Sequence, residues 1–108
     1  MTFNVLTSKR AEQEIRSAHQ WWTENRSRAQ ADRWYRRLTV AIQGLADNPE
    51  RHPNSRENQY FPYEIRDLLF GLGRRLTHRA VFTIRSDQVV VLSVRHLAQD
   101  DLAPEDVG

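Results

Sequence analysis

Residues 64–96 carry the pattern that most limits how this chain can fold. Apolar and polar residues alternate through 76–84, and a mostly apolar run fills 89–96. The sequence G-L-G and the pair Ser86-Asp87 separate these stretches and are typical of turns. A period of two indicates strands, and short turns make neighbouring strands antiparallel. The pattern therefore predicts a small, mainly antiparallel sheet. Strict alternation also predicts the residues that share one face of its last strand: Val90, Leu92, Val94 and His96.

Basic side chains recur on the predicted strands. Residues 66–96 hold six arginines against Asp67 and Asp87, whereas the tail at 97–108 holds four acidic residues. The net charge of the whole chain is only +2, so the total says little about partners. Guanidinium groups on rigid strands suit the recognition of phosphate or carboxylate groups.

The N-terminal half predicts a short strand followed by two helices. Residues 3–7 alternate like a strand, and Ser8 can cap a helix after it. The sequence S-x-x-Q from Ser27 predicts the start of a second helix, which Pro49 ends. Two helices joined by a few residues pack antiparallel, so we expect a helical hairpin over 9–47 that covers one face of the sheet. The predicted fold class is α+β: an N-terminal helical hairpin packed on a small, mainly antiparallel β-sheet.

The bulk composition fits one domain over residues 1–108. No apolar run approaches the roughly 20 residues that span a bilayer, and the N-terminus lacks a signal-peptide pattern. Cysteine is absent and the four histidines are scattered, so we expect neither a metal site nor another cofactor. We expect a cytoplasmic protein without membrane contact. The stretch at 48–63 has no period, and we interpret it as a solvated connection.

Four sequence pieces follow one another in an order that resembles the RelE/ParE superfamily of toxins from type II toxin–antitoxin systems. They are L-x-x-N-P at 45–49, E-I-R-x-L-x-F-G at 64–71, H-R-A-V-F-T-I at 78–84 and V-L-S-V-R-H at 91–96. The resemblance covers nearly the whole chain. It implies a toxin that arrests growth when it is free of its cognate antitoxin, a protein that wraps it with a segment that folds on binding. It also implies contact with operator DNA only through the antitoxin.

The resemblance leaves two targets open. RelE-type members cut messenger RNA on the ribosome, with basic strand residues and often a tyrosine near the C-terminus. On that alternative, the catalytic residues here would be Arg66, Arg79, Arg95 and His96, although His78 and His96 also suit structural roles. ParE-type members, which include plasmid stabilisation proteins, instead act on DNA gyrase. No tyrosine follows His96 in this sequence, which favours the ParE-like alternative and leaves open whether the protein is an enzyme.

Aromatic residues on the helices indicate where an antitoxin would bind. Trp22 and Trp34 fall on the inward apolar stripes, whereas Trp21 and Tyr35 lie beside them. Partly exposed aromatic residues are typical interface anchors. We therefore predict antitoxin binding at Trp21, Tyr35 and Arg75, where the arginine suits an acidic partner.

Overall fold

The helical hairpin and the sheet form in the predicted order. The computed structural model describes residues 2–107, so Met1 and Gly108 of the predicted domain lie outside the described residues. The elements are β1 (Asn4–Thr7), α1 (Lys9–Asn25), α2 (Arg28–Gln43), β2 (Arg66–Phe70), β3 (His78–Arg85), β4 (Gln88–His96) and α3 (Pro104–Val107). Short 3₁₀ turns occupy Gly44–Ala46, Pro49–Arg51 and Asn58–Tyr60. Of the helices among residues 2–107, none has the length and apolar character that crossing a bilayer requires.

Serine side chains begin both long helices, as predicted. The Ser8 hydroxyl accepts a hydrogen bond from the Ala11 amide (3.1 Å), and Ser27 accepts one from the Gln30 amide (3.1 Å). Each bond satisfies an amide that has no partner within its own helix. The second helix ends before Pro49, because a 3₁₀ turn follows Gln43 directly. The predicted helical hairpin is therefore confirmed, but its second α-helix ends at Gln43 and not at the predicted stop before Pro49.

The sheet has four strands in the order β1-β4-β3-β2. The pairs β2–β3 and β3–β4 are antiparallel, and β1 pairs with β4 in parallel. The antiparallel block at 64–96 is thus extended by one parallel strand from the N-terminus. Since the hairpin packs on this sheet, the predicted α+β class is confirmed.

A β-bulge in β4 corrects the predicted alternation of that strand. Val81 lies opposite Ser93 and Phe82 lies opposite Val91, so Leu92 is the extra residue. An extra residue reverses which side chains face each way beyond it. Val94 therefore faces the helices together with Val89 and Val91, whereas Leu92 faces the opposite side of the sheet.

The helical hairpin covers one face of the sheet and forms the larger core with it. Trp34 and Leu38 of α2 are 0% and 1% exposed and belong to the same cluster as Phe82 of β3. The other buried members of this cluster are Ala11, Ile15, Ile42, Leu45, Leu68, Phe70, Ala80, Val89, Val91 and Val94. We call this face of the sheet the helix face.

The opposite face of the sheet is also covered, by the later part of the 48–63 connection and by the C-terminal tail. Its buried apolar residues are Phe61, Ile65, Val81, Leu92 and Leu102. The interpretation of 48–63 as a solvated connection holds for the nine exposed residues of its sixteen. It is wrong for its buried residues, which include Ser55 (4% exposed) and Glu57 (0% exposed). We call this second face the tail face.

Candidate functional site

Arg79 is the most deeply buried cation of the described residues. It lies on the tail face of β3 and is 2% exposed. One guanidinium nitrogen donates to Glu57 Oε1 (2.8 Å) and to Asp67 Oδ1 (3.1 Å), and the other donates to the second oxygen of Glu57. A carboxylate that accepts two parallel bonds from arginine forms one of the strongest side-chain pairs. Both terminal nitrogens of Arg79 are thus occupied by carboxylates of the same chain, whereas its buried Nε has no hydrogen-bond partner among the described residues.

Glu57 links this ion pair to the C-terminal tail. Its carboxylate also accepts a hydrogen bond from the Leu102 amide (2.8 Å). Burial alone would raise the pKa of Glu57, but the bonds from Arg79 and Leu102 lower the pKa to about 2. Asp67 in turn accepts a hydrogen bond from the Ser55 hydroxyl. These contacts tie the connection, the sheet and the tail together, and we call them the Arg79 network.

Arg66 occupies a different place from Arg79. It pairs in register with Phe82, so its side chain starts on the helix face. The guanidinium donates to the carbonyl oxygens of Glu50 (2.9 Å) and His52 (2.6 Å) and to Glu64 Oε1 (2.8 Å). Its contacts hold the connection after α2 against the start of β2.

Arg95 is the direct neighbour of Arg79 across the β3–β4 ladder. It is 6% exposed and donates to the carbonyl oxygen of Asp100 in the tail (2.7 Å). The carboxylate of Glu14 on α1 lies 4.0 Å from its other nitrogen. Of the three predicted catalytic arginines, the structure therefore brings Arg79 and Arg95 together and keeps Arg66 apart.

His78 and His96 face each other at the ends of β3 and β4. Their ring centroids lie 5.2 Å apart, and His78 also packs edge-on against Trp34 at 5.2 Å. Burial and the neighbouring His96 lower the pKa of His78 to about 4, so His78 is neutral near pH 7. His96 is exposed, and its Nδ1 accepts a hydrogen bond from the Ala98 amide (3.0 Å).

The two histidines line an apolar groove of about 540 Å³ between α1 and the strand ends. Trp21 and Trp22 form its helical wall, with their rings edge-to-face at 5.8 Å. Trp21 is 51% exposed, whereas Trp22 packs against the core. We call this concave surface the tryptophan groove; its volume lies within the range of typical ligand pockets.

The other two residues predicted to bind an antitoxin lie outside the tryptophan groove. Tyr35 is 47% exposed and lines a second groove of about 310 Å³ beside β1. Arg75 is exposed in the turn before β3, two positions from Thr77, which lines the tryptophan groove. The predicted antitoxin-binding residues are thus all exposed but lie around two separate grooves.

Sequence reasoning missed the carboxylates that hold the arginines. Glu57 lies in a stretch without a period, and Glu14 lies on α1, far from Arg95 in sequence. One signal in the sequence was available. Arginines on a half-buried sheet need buried acceptors. Few acidic residues lie near these arginines in sequence, so the acceptors had to come from distant parts of the chain.

Comparison with known proteins places the chain in a family. A family model described as "ParE toxin of type II toxin-antitoxin system, parDE" matches residues 5–101. The chain belongs to this ParE toxin family. The RelE/ParE resemblance is therefore confirmed, and the chain is a ParE-family toxin of a type II toxin–antitoxin system.

The fold of this ParE-family toxin is similar to that of a solved structure. A chain of the "Chromosomal ParDE TA system from P. aeruginosa" superposes with a TM-score of 0.70 at 12% sequence identity. The match covers 88% of this chain and 96% of that chain. At this identity the likeness concerns the fold. Among curated proteins, no match was found.

Proposed function

We propose that this ParE-family toxin inhibits growth by binding DNA gyrase through protein contacts and that a cognate antitoxin holds it inactive. One observation carries the preference for a protein target over RNA cleavage: the guanidinium of Arg79 is 2% exposed and bonded to two carboxylates. Metal-free RNA cleavage needs cations that reach the pentavalent phosphate. Arg79 could reach a phosphate only after its ion pairs break.

The neighbouring candidates support the same preference. Arg95 is 6% exposed and bonded to the tail, and Arg66 is bonded to backbone carbonyl groups. His96 is exposed, but His78, which lies beside it, has its pKa lowered to about 4 by burial and by His96 itself. The catalytic assignment of these four residues stays a prediction that belongs to the RelE-like alternative.

Exposed aromatic residues supply the surfaces for partner proteins. Trp21 and Tyr35 are about half exposed, at 51% and 47%, and exposed aromatic residues are enriched among the anchors of protein interfaces. Arg75 adds an exposed positive charge near the tryptophan groove. We assign these three residues to antitoxin binding, with the arginine meeting an acidic partner.

Induction of the toxin in cells that lack the antitoxin tests the proposal. We expect growth arrest, loss of gyrase supercoiling activity in the presence of purified toxin, and no new in-frame messenger RNA ends by primer extension. The matched variant is His96→Gln, which removes an exposed imidazole and leaves the core unchanged. Arrest that persists in His96→Gln agrees with gyrase binding. Messenger RNA cuts that disappear in His96→Gln would establish the ribonuclease alternative.

A further inference from the structure

The outward side of α2 carries positive charge that no carboxylate balances. The first helix, α1, is balanced, with three lysine or arginine residues and three glutamates. The second helix, α2, holds four arginines and one acidic residue, Asp32, which is bonded to His19 of α1 (2.9 Å). No acidic residue occurs from 33 to 46. Three exposed arginines of α2 lie in this stretch: Arg33, Arg36 and Arg37.

The turn between β2 and β3 brings a fourth arginine beside this part of α2. Arg37 donates to the carbonyl oxygen of Leu72 in the turn (2.9 Å), and the ring of Trp34 packs against that of Phe70 with centroids 6.4 Å apart. Arg74 is exposed in the same turn, and no acidic residue occurs from 68 to 86. We call the four exposed arginines at 33, 36, 37 and 74 the arginine patch.

The turn that carries Arg74 is tightly closed. The Thr77 amide donates to the Phe70 carbonyl oxygen across it (2.9 Å). Gly71 has no room for a side chain, because a Cβ at this position would overlap with the carbonyl group of Arg75. The backbone that carries Arg74 is therefore ordered before any partner binds, which lowers the entropic cost of binding.

The absence of ion pairs distinguishes the arginine patch from the other arginines of the fold. Within residues 2–107, the arginines at 10, 56, 66, 79 and 95 each pair with a carboxylate, whereas none of the four patch arginines does. Arg33 and Arg37 are four residues apart on one helix, a spacing at which like charges destabilise the helix. The stability of the fold therefore does not account for the patch, and an external anion would relieve its repulsion.

From this charge distribution we propose that the arginine patch contacts the phosphate backbone of the DNA that gyrase holds. The inference rests on the proposed function, since it adds the gyrase-bound DNA to the protein contacts of the toxin. Guanidinium groups donate two parallel bonds to phosphate oxygens, and such contacts position a protein on DNA without reading its sequence.

The composition of the arginine patch favours DNA over an acidic protein surface. Protein interfaces have an apolar or aromatic centre with charges at the rim, whereas protein–DNA interfaces are polar and strongly positive. The exposed aromatic residues Trp21 and Tyr35 line the two grooves and do not belong to the patch. The patch thus offers charge on two ordered elements without an aromatic anchor.

Contact with phosphates implies a defined salt dependence. Each phosphate that an arginine neutralises releases a counterion from DNA, so the logarithm of the affinity falls with the logarithm of the salt concentration by about 0.9 per contact. Four contacts would give a slope of about −3.6, or a loss of about 150-fold between about 0.05 and about 0.2 M salt. Removal of two of the four arginines should halve this slope.

Binding of the full chain to purified gyrase, with and without a bound DNA duplex, tests the proposal by fluorescence anisotropy. We expect the duplex to raise the affinity of the parent chain by about tenfold or more at low salt. In Arg33→Gln/Arg74→Gln this gain should fall by about tenfold, while the affinity for gyrase alone stays unchanged. No gain in the parent chain, or an equal gain in the variant, would overturn the inference and leave the proposed function intact. Weaker binding of the variant to gyrase alone would also overturn it and assign the patch to an acidic protein surface. No binding of the parent chain to gyrase would count against the proposed function itself.

Two matched variants serve as controls. Arg33→Lys/Arg74→Lys keeps both charges and should keep most of the gain from DNA, because counterion release depends on charge. Arg16→Gln/Arg51→Gln removes the same charge from exposed positions outside the patch, in the groove beside β1 and in the connection after α2, and should keep both affinities. The unfolding midpoint of Arg33→Gln/Arg74→Gln should not fall below that of the parent chain, since the variant relieves like-charge repulsion. A lysine variant as weak as the glutamine variant would contradict a contact made through charge.

Discussion

Arg79 and Glu57 form a buried two-bond ion pair on the tail face although 22 residues separate them in sequence. Arg79 belongs to the central part of the sheet and Glu57 to the connection before it, so the pair fixes the connection on the sheet. The Leu102 amide bonds to the same carboxylate and adds the tail. One acidic side chain thus organises three segments of the chain.

Removing Glu57 should destabilise the protein strongly. Glu57→Ala leaves Arg79 buried with only Asp67 as an ionic partner, and loss of one partner of a buried pair typically costs about 3–5 kcal/mol. Urea unfolding followed by tryptophan fluorescence measures the change. The control is Glu64→Ala, which removes an exposed carboxylate from Arg66 and should cost less than about 1 kcal/mol. Similar unfolding free energies for the two variants would contradict a structural role for the Arg79 network.

The packing of the hairpin on the sheet predicts a sharp contrast within α2. Leu38 is 1% exposed and Val40 is 68% exposed. Leu38→Asp buries an unpaired charge at a cost of several kcal/mol, enough to unfold a small domain, whereas Val40→Asp leaves its charge in water. Circular dichroism and gel filtration should find the first variant unfolded or aggregated and the second folded. A soluble, folded Leu38→Asp variant would show that the hairpin packs differently.

His78 should make stability depend on pH in the weakly acidic range. Its pKa is about 4 in the folded chain, whereas its ordinary value is 6.5. Burial of the ring is the larger cause of this shift, and the nearby charge of His96 is the smaller one. The unfolded chain therefore binds more protons between these values, and the free energy of unfolding falls as the pH drops from 6.5 towards 4. One such site gives a slope of up to about 1.4 kcal/mol per pH unit.

Urea unfolding at about pH 7 and about pH 5 measures this slope in the parent chain and in His78→Gln. The variant should show a flatter dependence. Part of the slope should remain in the variant, because His52 also has a lowered pKa. Burial is the larger cause of that shift, and the positive charges of Arg51 and Arg66 add to it. Glu57 adds little to the slope between about pH 5 and about pH 7. Its ordinary pKa of 4.5 falls to about 2 in the folded chain, so its contribution to the free energy of unfolding is lost only at lower pH. Identical slopes in parent and variant would refute the prediction.

The adjacent residues Trp21 and Trp22 should respond differently to truncation. Trp21 is 51% exposed, so Trp21→Ala should leave the unfolding midpoint nearly unchanged and weaken antitoxin binding by about tenfold or more. Trp22 packs against the core, so Trp22→Ala should lower stability by about 3 kcal/mol. Calorimetric titration and thermal unfolding separate the two effects. Unchanged antitoxin affinity in Trp21→Ala would remove Trp21 from the interface.

The elements could be predicted because each has a local signal. The serine caps at Ser8 and Ser27 and the period-two alternation of β3 depend on residues close in sequence. The bulge at Leu92 could not be predicted in this way. Residues 89–92 read V-V-V-L, so both faces of β4 are apolar at this point and the pattern does not show where the alternation shifts.

The candidate site was harder to predict than the fold because its contacts are long-range. The six arginines of residues 66–96 suggested binding of an external anion. A sequence pattern does not show that Arg79 finds its anion in Glu57 or that Arg95 bonds to the carbonyl oxygen of Asp100.

The parallel pairing of β1 with β4 also determines when the protein can fold during its own synthesis. Asn4 pairs with Gln88, and both long helices, β2 and β3 lie between the two strands in sequence. The strand β4 therefore leaves the ribosome after all of these elements, and the N-terminal strand has no neighbour in the sheet until then. Contacts this distant in sequence form late. Each new molecule therefore completes its sheet only after its last strand has been synthesised.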